Sequence, residues 1–291
     1  MKYKQQNQTK NFFELDAKNW SRKSNFKENL ILNTIQERNY YVLKQIKLFK
    51  LKSIIDVGCG SGDLSYETSK ITKKSLGIDF VKNMIKIAKK KFKKNNLAFQ
   101  DISIFDYKIT EKFDCVSANG FIEYLSLSDI KKFFDISNQL INKNGYIVFG
   151  TRNRLFNLYS LNKFSLNEVK KKTFNKFYEE SIALNNLMFN DFIKLKKNSF
   201  EEVPFKQPKT GINVDKRHQF SPLQIVDILN RVGFKVIDIH PINYHPVPPI
   251  KYSKEKNFKL FSNFIYKFKD NNKLPYIPFA SSFMVTARKI K

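Results

Sequence analysis

The chain of 291 residues contains only two cysteines and three histidines. Neither a disulfide framework nor a zinc site with Cys-x-x-Cys or His-Glu-x-x-His spacing can be built from them. No run of about 18 uncharged apolar residues occurs, and the first residues are too polar for the apolar core of a signal peptide. We therefore expect a cytoplasmic protein without a membrane span and without a bound metal.

Arginine is also scarce, because only 7 of the 53 basic residues are arginine, although the formal net charge is +27. A charge of this size suggests a phosphate-rich partner, but phosphate and groove readers favour the planar arginine fork. Lysine, asparagine, isoleucine, phenylalanine and tyrosine all have A/T-rich codons and are all abundant, so a drift in base composition accounts for the lysine excess. Nucleic acid is therefore a disfavoured partner.

The sequence is rich enough in apolar residues, at 42% of the chain, to fold around a substantial core. From residue 53, short apolar runs alternate with helical patterns, which indicates βαβ units and a parallel sheet covered on both faces. We predict an N-terminal helical lid (1–50), an α/β core (51–152), an inserted and mostly helical cap (153–220), and completion of the core (221–291), with a second insertion at 240–280.

A buried-type strand runs into a glycine-rich turn at Asp56-Val57-Gly58-Cys59-Gly60-Ser61-Gly62. Glycines let the backbone turn sharply and approach a ligand, and the N–H groups at the start of the following helix attract charged groups. The next strand ends at Asp79, 21 residues after Gly58, where a carboxylate can accept hydrogen bonds from both hydroxyls of a ribose. The two features together predict a nucleoside-containing ligand, whereas a tight turn and a helix cap without a ligand are the structural alternative.

Two common nucleotide motifs are excluded at this turn. The dinucleotide fingerprint requires glycine at position 63, which is Asp63, and no Gly-Lys-Ser/Thr follows as a P-loop would require. Asp56, two residues before the first glycine, would repel a pyrophosphate but suits a ligand with an ammonium group. S-adenosylmethionine has such a group together with a ribose and an adenine.

The motifs DVGCGSG, GIDF, FQDI and FDCVSANGFIEYL resemble the successive motifs of the class I S-adenosylmethionine-dependent methyltransferases, in their small-molecule, ubiquinone-biosynthesis-like (type 11) branch. The resemblance covers residues 50–152, the helix and strand at 221–239, and the last strand. It implies an α/β fold with a Rossmann-like seven-stranded, mostly parallel sheet, helices on both faces, and a mostly helical cap. It also implies S-adenosyl-L-methionine as the cofactor.

The resemblance assigns site residues position by position. It implies that Asp79 takes the ribose, that Asp101 and Ile102 flank the adenine, and that Asn119 and Gly120 face the sulfonium. The remaining expected cofactor residues are Asp56, Gly58, Cys59, Gly60, Gly62, Phe80 and Met84. Glu123-Tyr124 replaces the Glu-His pair of many relatives, so the role of that histidine does not transfer.

Candidates for binding the methyl acceptor follow the strand ends. His218 precedes the closing helix, at the ligand-binding edge of the sheet, and we predict it as the general base; a packing role is the alternative. Arg152 and Arg154 follow the fifth strand and could clamp a carboxylate or phosphate, or form surface ion pairs. His245 is a candidate substrate contact. His240 and His245 both follow the sixth strand and could reach the pocket, and a rigid proline-rich loop is the alternative explanation for both.

Two aromatic segments have open interpretations. Trp20, the only tryptophan, suits either a lid over the cofactor or packing on the core, and the amphipathic segment 257–269 suits either packing or peripheral membrane contact. We predict an S-adenosylmethionine-dependent methyltransferase that acts on a small-molecule acceptor, at a hydroxyl. A nucleic-acid methyltransferase and a non-catalytic cofactor-binding module are the alternatives, and the sequence leaves the oligomeric state open.

Overall fold

The computed structural model describes residues 4–24, 33–195, 217–249 and 273–290, and every structural statement below concerns these residues. They form one seven-stranded sheet in the order β3-β2-β1-β4-β5-β7-β6. Strands β1 to β5 are parallel to one another, and β7 runs antiparallel to both of its neighbours, β5 and β6. The strands are β1 (Ser53–Val57), β2 (Lys74–Asp79), β3 (Leu97–Asp101), β4 (Phe113–Asn119), β5 (Ile141–Arg152), β6 (Phe234–Tyr244) and β7 (Ala280–Lys289).

Helices cover the sheet and extend it into a cap. A 3-10 turn at Ile122–Tyr124 follows β4, and another at Leu274–Phe279 precedes β7. The α-helices are α1 (Lys4–Ser24), α2 (Thr34–Leu48), α3 (Asp63–Ser69), α4 (Lys82–Lys91), α5 (Leu127–Leu140), α6 (Phe156–Ser160), α7 (Lys163–Lys170), α8 (Phe174–Asn186), α9 (Phe189–Phe192) and α10 (Pro222–Arg231). In the described part of the chain, no helix combines the length and the apolar character needed to cross a membrane.

The strand order creates a crevice between β1 and β4. The chain winds outward from β1 through β2 to β3, then returns to β4 on the other side of β1. At such a reversal the connections leave the strands in opposite directions, so the carboxyl ends open a gap in which ligands bind. The glycine-rich turn after β1 and the 3-10 turn after β4 both lie at this gap.

The central strands β1 and β4 and their neighbour β2 are buried on both faces, as their continuous apolar runs predict, whereas the edge strand β3 is buried only at Phe99. On one face, aromatic residues including Phe133, Phe134 and Phe149 form the centre of the largest hydrophobic cluster. On the other face, α2 contributes Tyr41, Val42 and Ile46 to a second cluster. Helix α2 begins at a capping box in which Asn33 is the N-cap, so its start is defined by local hydrogen bonds, within the predicted N-terminal helical segment 1–50.

The cap leaves the core and returns to it at nearly the same point. The backbone N–H of Arg154 donates to the carbonyl oxygen of Phe220 (2.8 Å), and the N–H of Phe220 donates to that of Arg152 (3.0 Å). Helices α6 to α9 lie between these anchor points in sequence, within the range predicted for the cap. Strand β6 continues to Tyr244 because its last residues pair with β7, so it occupies the first positions of the predicted 240–280 insertion. The amphipathic segment 257–269 lies outside the described residues.

Candidate functional site

The glycine-rich turn has the backbone shape that only glycine adopts without strain. Gly58, Gly60 and Gly62 all have positive φ angles, of 70°, 54° and 82°. A Cβ atom on Gly62 would lie 2.6 Å from the Phe99 ring and 2.9 Å from the Cβ of Ala88. Gly62 therefore lets α3 pack closely against β3 and α4, and it does not line the cavity described below.

Asp79, at the end of β2, holds the turn in place with its carboxylate. Its Oδ2 accepts from the N–H of Gly60 (2.9 Å) and its Oδ1 from the N–H of Val81 (2.9 Å). Each oxygen keeps a lone pair for a further donor. Burial raises the pKa of Asp79 to about 6, and these two backbone hydrogen bonds oppose that rise. Asp79 is therefore a buried acceptor at the position where the sequence predicts ribose recognition.

Asp56 links three elements of the core beneath the turn. Its Oδ1 accepts from the hydroxyl of Ser117 on β4 (2.7 Å) and its Oδ2 from that of Ser65 on α3 (2.8 Å). Burial raises the pKa of Asp56 to about 6, while the two serine hydrogen bonds lower it. Because both oxygens already have protein donors, Asp56 contributes negative charge to the cavity wall and also fixes its geometry.

The carboxyl end of β4 is covered by two polar side chains of α2. Asn119 donates through Nδ2 to the Oδ1 of Asn39 (3.1 Å), and its own Oδ1 is buried without a donor among the described residues. The Arg38 guanidinium occupies the space that a Cβ on Gly120 would fill, and Gly120 has a φ of 63°. A Cβ on Gly150 would meet the Arg38 side chain at 3.3 Å. Two glycines thus allow an arginine to lie flat on the strand ends.

Helix α1 covers the turn as a lid. The Trp20 indole nitrogen lies 3.4 Å from the position of a Cβ on Gly60, and Ser24 donates to Asp63 Oδ2 (2.8 Å). The carboxylate of Glu14 accepts from the first N–H groups of α4. Phe13 packs edge-on against both Trp20 (5.2 Å between centroids) and Tyr124 (5.8 Å). Trp20 therefore lies over the glycine-rich turn, in the position of a lid residue.

The lid, the turn and the strand ends enclose one cavity. Nine of the predicted cofactor residues line it: Asp56, Gly58, Cys59, Gly60, Asp79, Phe80, Met84, Asn119 and Gly120. Three predicted cofactor residues do not line it: Gly62, Asp101 and Ile102. Asp101 is exposed on β3, where it pairs with Asp79 of β2 in the sheet register. The sequence analysis missed several lining residues, among them Phe13, Arg38, Asn39 and Arg217. The rarity of arginine was the signal that could have identified Arg38 and Arg217.

Glu123 is the centre of a buried charge cluster at the far end of this cavity. Its Oε1 accepts from Arg217 Nε (2.9 Å) and from Arg217 Nη2, and its Oε2 lies 3.9 Å from Arg38 Nη2. Burial would raise the pKa of Glu123, but the three guanidiniums of Arg217, Arg38 and Arg152 outweigh it and hold the pKa below its ordinary value. Glu123 is therefore an ionised partner for arginine.

None of the three histidines lines the cavity, although His218 and His245 were predicted to act on the acceptor. His218 is 1% exposed, donates its backbone N–H to the carbonyl oxygen of Glu123 (2.7 Å), and does not line the cavity. His245 packs on Phe156, with ring centroids 4.7 Å apart. Burial, and then the charge of Arg152, lower the pKa of His245 to about 4. His240, the third histidine, packs against Tyr41 on α2.

Arg154 lies away from the cavity. It forms a two-point ion pair with Glu168 on α7, and its guanidinium lies 4.3 Å above the ring of Phe177 on α8. These contacts engage Nε and Nη2 in joining the cap helices to the end of β5 and give the charge a buried counter-ion, although Nη1 has no acceptor among the described residues. They argue against the expected substrate contact at Arg154. Nor do the described residues contain a group of histidine, cysteine and carboxylate side chains suited to hold a metal ion.

A family model described as a methyltransferase domain matches residues 48–210, which is more than half of the chain. The chain is 32% identical over 141 residues to the ubiquinone biosynthesis O-methyltransferase of Pelagibacter ubique (strain HTCC1062), covering 46% of this chain and 53% of that protein. It is 29% identical over 152 residues to the protein of the same name from Coxiella burnetii (strain Dugway 5J108-111), covering 51% and 62%. The matches therefore span between 53% and 62% of the length of these relatives.

The fold is also similar to a solved structure. Magnesium protoporphyrin IX methyltransferase from Synechocystis PCC 6803, solved with bound SAH, aligns with a TM-score of 0.55 and 12% sequence identity, covering 96% of this chain and 97% of that one. At this identity the similarity concerns the fold alone. It confirms the expected Rossmann-like seven-stranded sheet.

Proposed function

The chain belongs to the methyltransferase-domain family, and from that premise we propose that it transfers a methyl group from S-adenosyl-L-methionine to a hydroxyl of a small-molecule acceptor. One observation carries the proposal. A single cavity joins the glycine-rich turn, the Asp79 carboxylate and the carboxyl end of β4 beneath a helical lid. Curated relatives named as O-methyltransferases support a hydroxyl acceptor.

The polar residues of the cavity match the polar parts of the cofactor. Asp79 has one free lone pair on each oxygen for the two ribose hydroxyls. Arg38, whose guanidinium lies on Gly120, would bind the carboxylate of the methionyl group. The donor-free Oδ1 of Asn119 would accept from its ammonium, with the negative charge of Asp56 behind it. The fit therefore includes an acceptor that the described residues leave unsatisfied, beside a guanidinium.

The apolar residues suit the adenine. Phe80 and Met84 line the cavity next to Asp79 and offer one ring face and one thioether for packing. Asp101 and Ile102 remain proposed adenine contacts. Since neither lines the cavity in this structure, we assign them to its rim, where Asp101 would accept from the exocyclic amine.

The chemistry requires positioning and a proton acceptor. When bound, S-adenosylmethionine supplies an electrophilic methyl group on a sulfonium centre. Asn119 and Gly120 define the strand end at which this group would face the acceptor, and the lid would exclude water. His218 remains the proposed general base for the acceptor hydroxyl. Because His218 is 1% exposed and does not line the cavity, the cavity wall would have to open for the acceptor to reach its imidazole.

We also propose the cytoplasm as the compartment. Cys59 and Cys115 are both free thiols, and burial raises the pKa of each. A thiol that is hard to ionise is a poor nucleophile, so both residues act as small packing groups. Such a pair of unbonded cysteines is consistent with a reducing environment.

Calorimetry tests the cofactor assignment. We expect the protein to bind SAH and S-adenosylmethionine but neither NAD nor ATP, because Asp56 repels a pyrophosphate and the turn lacks the dinucleotide and P-loop motifs. Binding of NAD without binding of SAH would contradict the proposal.

Transfer of label tests the activity. Protein supplied with methyl-labelled S-adenosylmethionine and a small-molecule extract should label compounds that pass a size filter. Label on nuclease-sensitive polymer at physiological salt would instead identify a nucleic-acid methyltransferase. Binding of SAH without any turnover would identify a cofactor-binding module.

A further inference from the structure

Three of the seven arginines of this chain lie close to the carboxyl ends of β4 and β5. Arg38 and Arg217 line the cavity, and Arg152 lies just outside it. Arg217 and Arg38 approach opposite oxygens of Glu123. Arg38 Nη2 also donates to the hydroxyl of Ser282 on β7 (3.1 Å). Ser282 pairs with Arg152 across the sheet, which brings the third arginine to the same spot. In a chain so poor in arginine, this concentration indicates a specific use.

The cluster contains more positive than negative charge. The carboxylates that act on these arginines are Glu123 and, more weakly, Glu37, whose Oε2 accepts from the backbone N–H of Asn243 (2.7 Å). Burial, and then the charge of Arg217, lower the pKa of Arg152 to about 10, which leaves it protonated at neutral pH. Three guanidiniums therefore face two carboxylates.

Arg152 carries the unmatched charge. No hydrogen bond or ion pair joins its guanidinium to any residue that the structure describes, and its Nε is buried without an acceptor. Arg154, two residues later, also has one buried nitrogen without an acceptor, Nη1, but its charge is paired, because Nε and Nη2 donate directly to Glu168. A largely buried cation without a direct partner is costly, so the contrast between these neighbours points to an anion that binds Arg152 from outside the chain.

The surroundings of Arg152 define where that anion lies. On one side is the cavity wall, because Arg38, which lines the cavity, donates to Ser282, the residue opposite Arg152 in the sheet. The charge of Arg152 also acts on three wall residues, Glu123, Tyr124 and Arg217. On the other side is His245, whose pKa it lowers and whose ring packs on Phe156. The site thus combines a cation with aromatic surface, beyond the end of the cavity that the proposed cofactor would occupy.

We propose that the methyl acceptor is an anion whose carboxylate or phosphate group binds Arg152 between the Glu123–Arg217 ion pair and His245. The inference rests on the proposed function, because it names the substrate class of the same site. In this assignment Arg38 binds the methionyl carboxylate of the cofactor and Arg152 binds the carboxylate or phosphate of the acceptor, so the two anionic groups have different arginine partners.

Anion binding can be tested without knowing the acceptor. Benzoate and phenyl phosphate serve as probes, with the neutral benzamide as a matched compound, and binding to the SAH-saturated protein is followed at constant ionic strength by NMR shifts of the histidine rings. We expect benzoate or phenyl phosphate, but not benzamide, to shift the His245 signals. This readout needs no variant.

The variants are Arg152→Gln and Arg152→Lys, with Arg231→Gln as the control because Arg231 pairs with Asp227 on the exposed surface of α10. Arg152→Gln should weaken anion binding at least about tenfold and leave SAH affinity within about twofold, while Arg152→Lys restores part of the loss. Arg231→Gln should change neither.

The outcomes distinguish failure of the anion-site inference from failure of the proposed methyltransferase function. Equal anion binding by the wild type and Arg152→Gln, or no selective shift of His245 by the anions, would overturn the inference and leave the proposed function standing. Loss of SAH affinity in Arg152→Gln would assign Arg152 to the cofactor carboxylate and likewise overturn it. Failure of the wild type to bind SAH would overturn the proposed function itself.

Discussion

Arg154 and Glu168 form a two-point ion pair in which neither side chain is exposed to solvent. Arg154 Nε donates to Oε1 (3.0 Å) and Nη2 to Oε2 (2.9 Å). Asn157 and Thr173 also donate to the same carboxylate, so its oxygens are well satisfied. The pair ties the end of β5 to α7 and thereby holds the cap on the core.

Removing one partner of this pair should destabilise the protein. We expect Glu168→Gln to lower the free energy of unfolding by about 3–5 kcal/mol, because it leaves a buried guanidinium without its counter-charge. Urea unfolding measures the change. Asp227→Asn, which breaks the exposed pair with Arg231, is the control and should cost less than about 1 kcal/mol. Similar losses in the two variants would contradict the structural role of Arg154.

Asp79 should control cofactor affinity. Asp79→Asn removes the charge that accepts from the ribose hydroxyls, and we expect SAH binding to weaken by about 1–3 kcal/mol while the protein stays folded. The quenching of Trp20 fluorescence on SAH binding measures affinity, since Trp20 is the only tryptophan and lines the cavity. Asp135→Asn, on the exposed side of α5, should bind SAH normally. Unchanged affinity in a folded Asp79→Asn protein would exclude the ribose role.

Cofactor affinity should depend on pH near 6. The pKa of Asp79 is raised to about 6 by burial, and the ionised form is the better acceptor. The Kd for SAH should therefore rise as pH falls through 6, towards about tenfold per pH unit for this single group. Asp56, also with a pKa of about 6, steepens the dependence. In Asp79→Asn only the Asp56 contribution to the pH dependence of the Kd should remain. An identical Kd-against-pH profile in the wild type and the variant would contradict the role of Asp79 in ribose binding.

The raised pKa of Asp79 affects the stability of the cofactor-free protein in the opposite direction: stability should fall, and not rise, as pH increases. An acid with a raised pKa binds its proton more tightly in the folded than in the unfolded state. The protonated Asp79 therefore adds its full contribution to the free energy of unfolding below pH 3.8, the ordinary pKa of aspartate. That contribution is lost as pH rises through about 6, the pKa in the folded protein. Asp79→Asn should consequently flatten the pH dependence of urea unfolding between these two values.

His218 should affect turnover more than binding if it is the general base. We expect His218→Gln to lower kcat by about 10²-fold with cofactor affinity nearly unchanged, and to remove the acidic limb of the pH profile. His245→Gln is the matched histidine variant and should act mainly on KM for the acceptor. Activity of His218→Gln within a few-fold of the wild type across pH 6–9 would assign the histidine to packing.

The local motifs determined much of the cofactor side. Gly58, Gly60 and Asp79 could be assigned from sequence because their roles depend on backbone shape and on strand order, and both follow from a strand, a turn and a helix that are adjacent in the chain. The first five strands were predictable for the same reason, since apolar runs alternate with helical patterns from residue 53 to residue 152, whereas the count of seven was implied by the family resemblance. The role of Gly62 could not be separated from that of its neighbours, because its contacts with Phe99 and Ala88 join distant segments.

Only the tertiary structure decided which arginines meet. Arg152 ends β5 and Arg154 follows it by two residues, and the two looked equivalent in sequence. The chain leaves the strand after Arg152, and the placement of α7 then encloses Arg154 with Glu168 while Arg152 stays near Glu123. Arg38 and Arg217 reach the same carboxylate from opposite ends of the chain. Such pairings depend on how helices pack on the sheet, and the physical reason is that a buried charge is stabilised by groups close in space, whatever their separation in sequence.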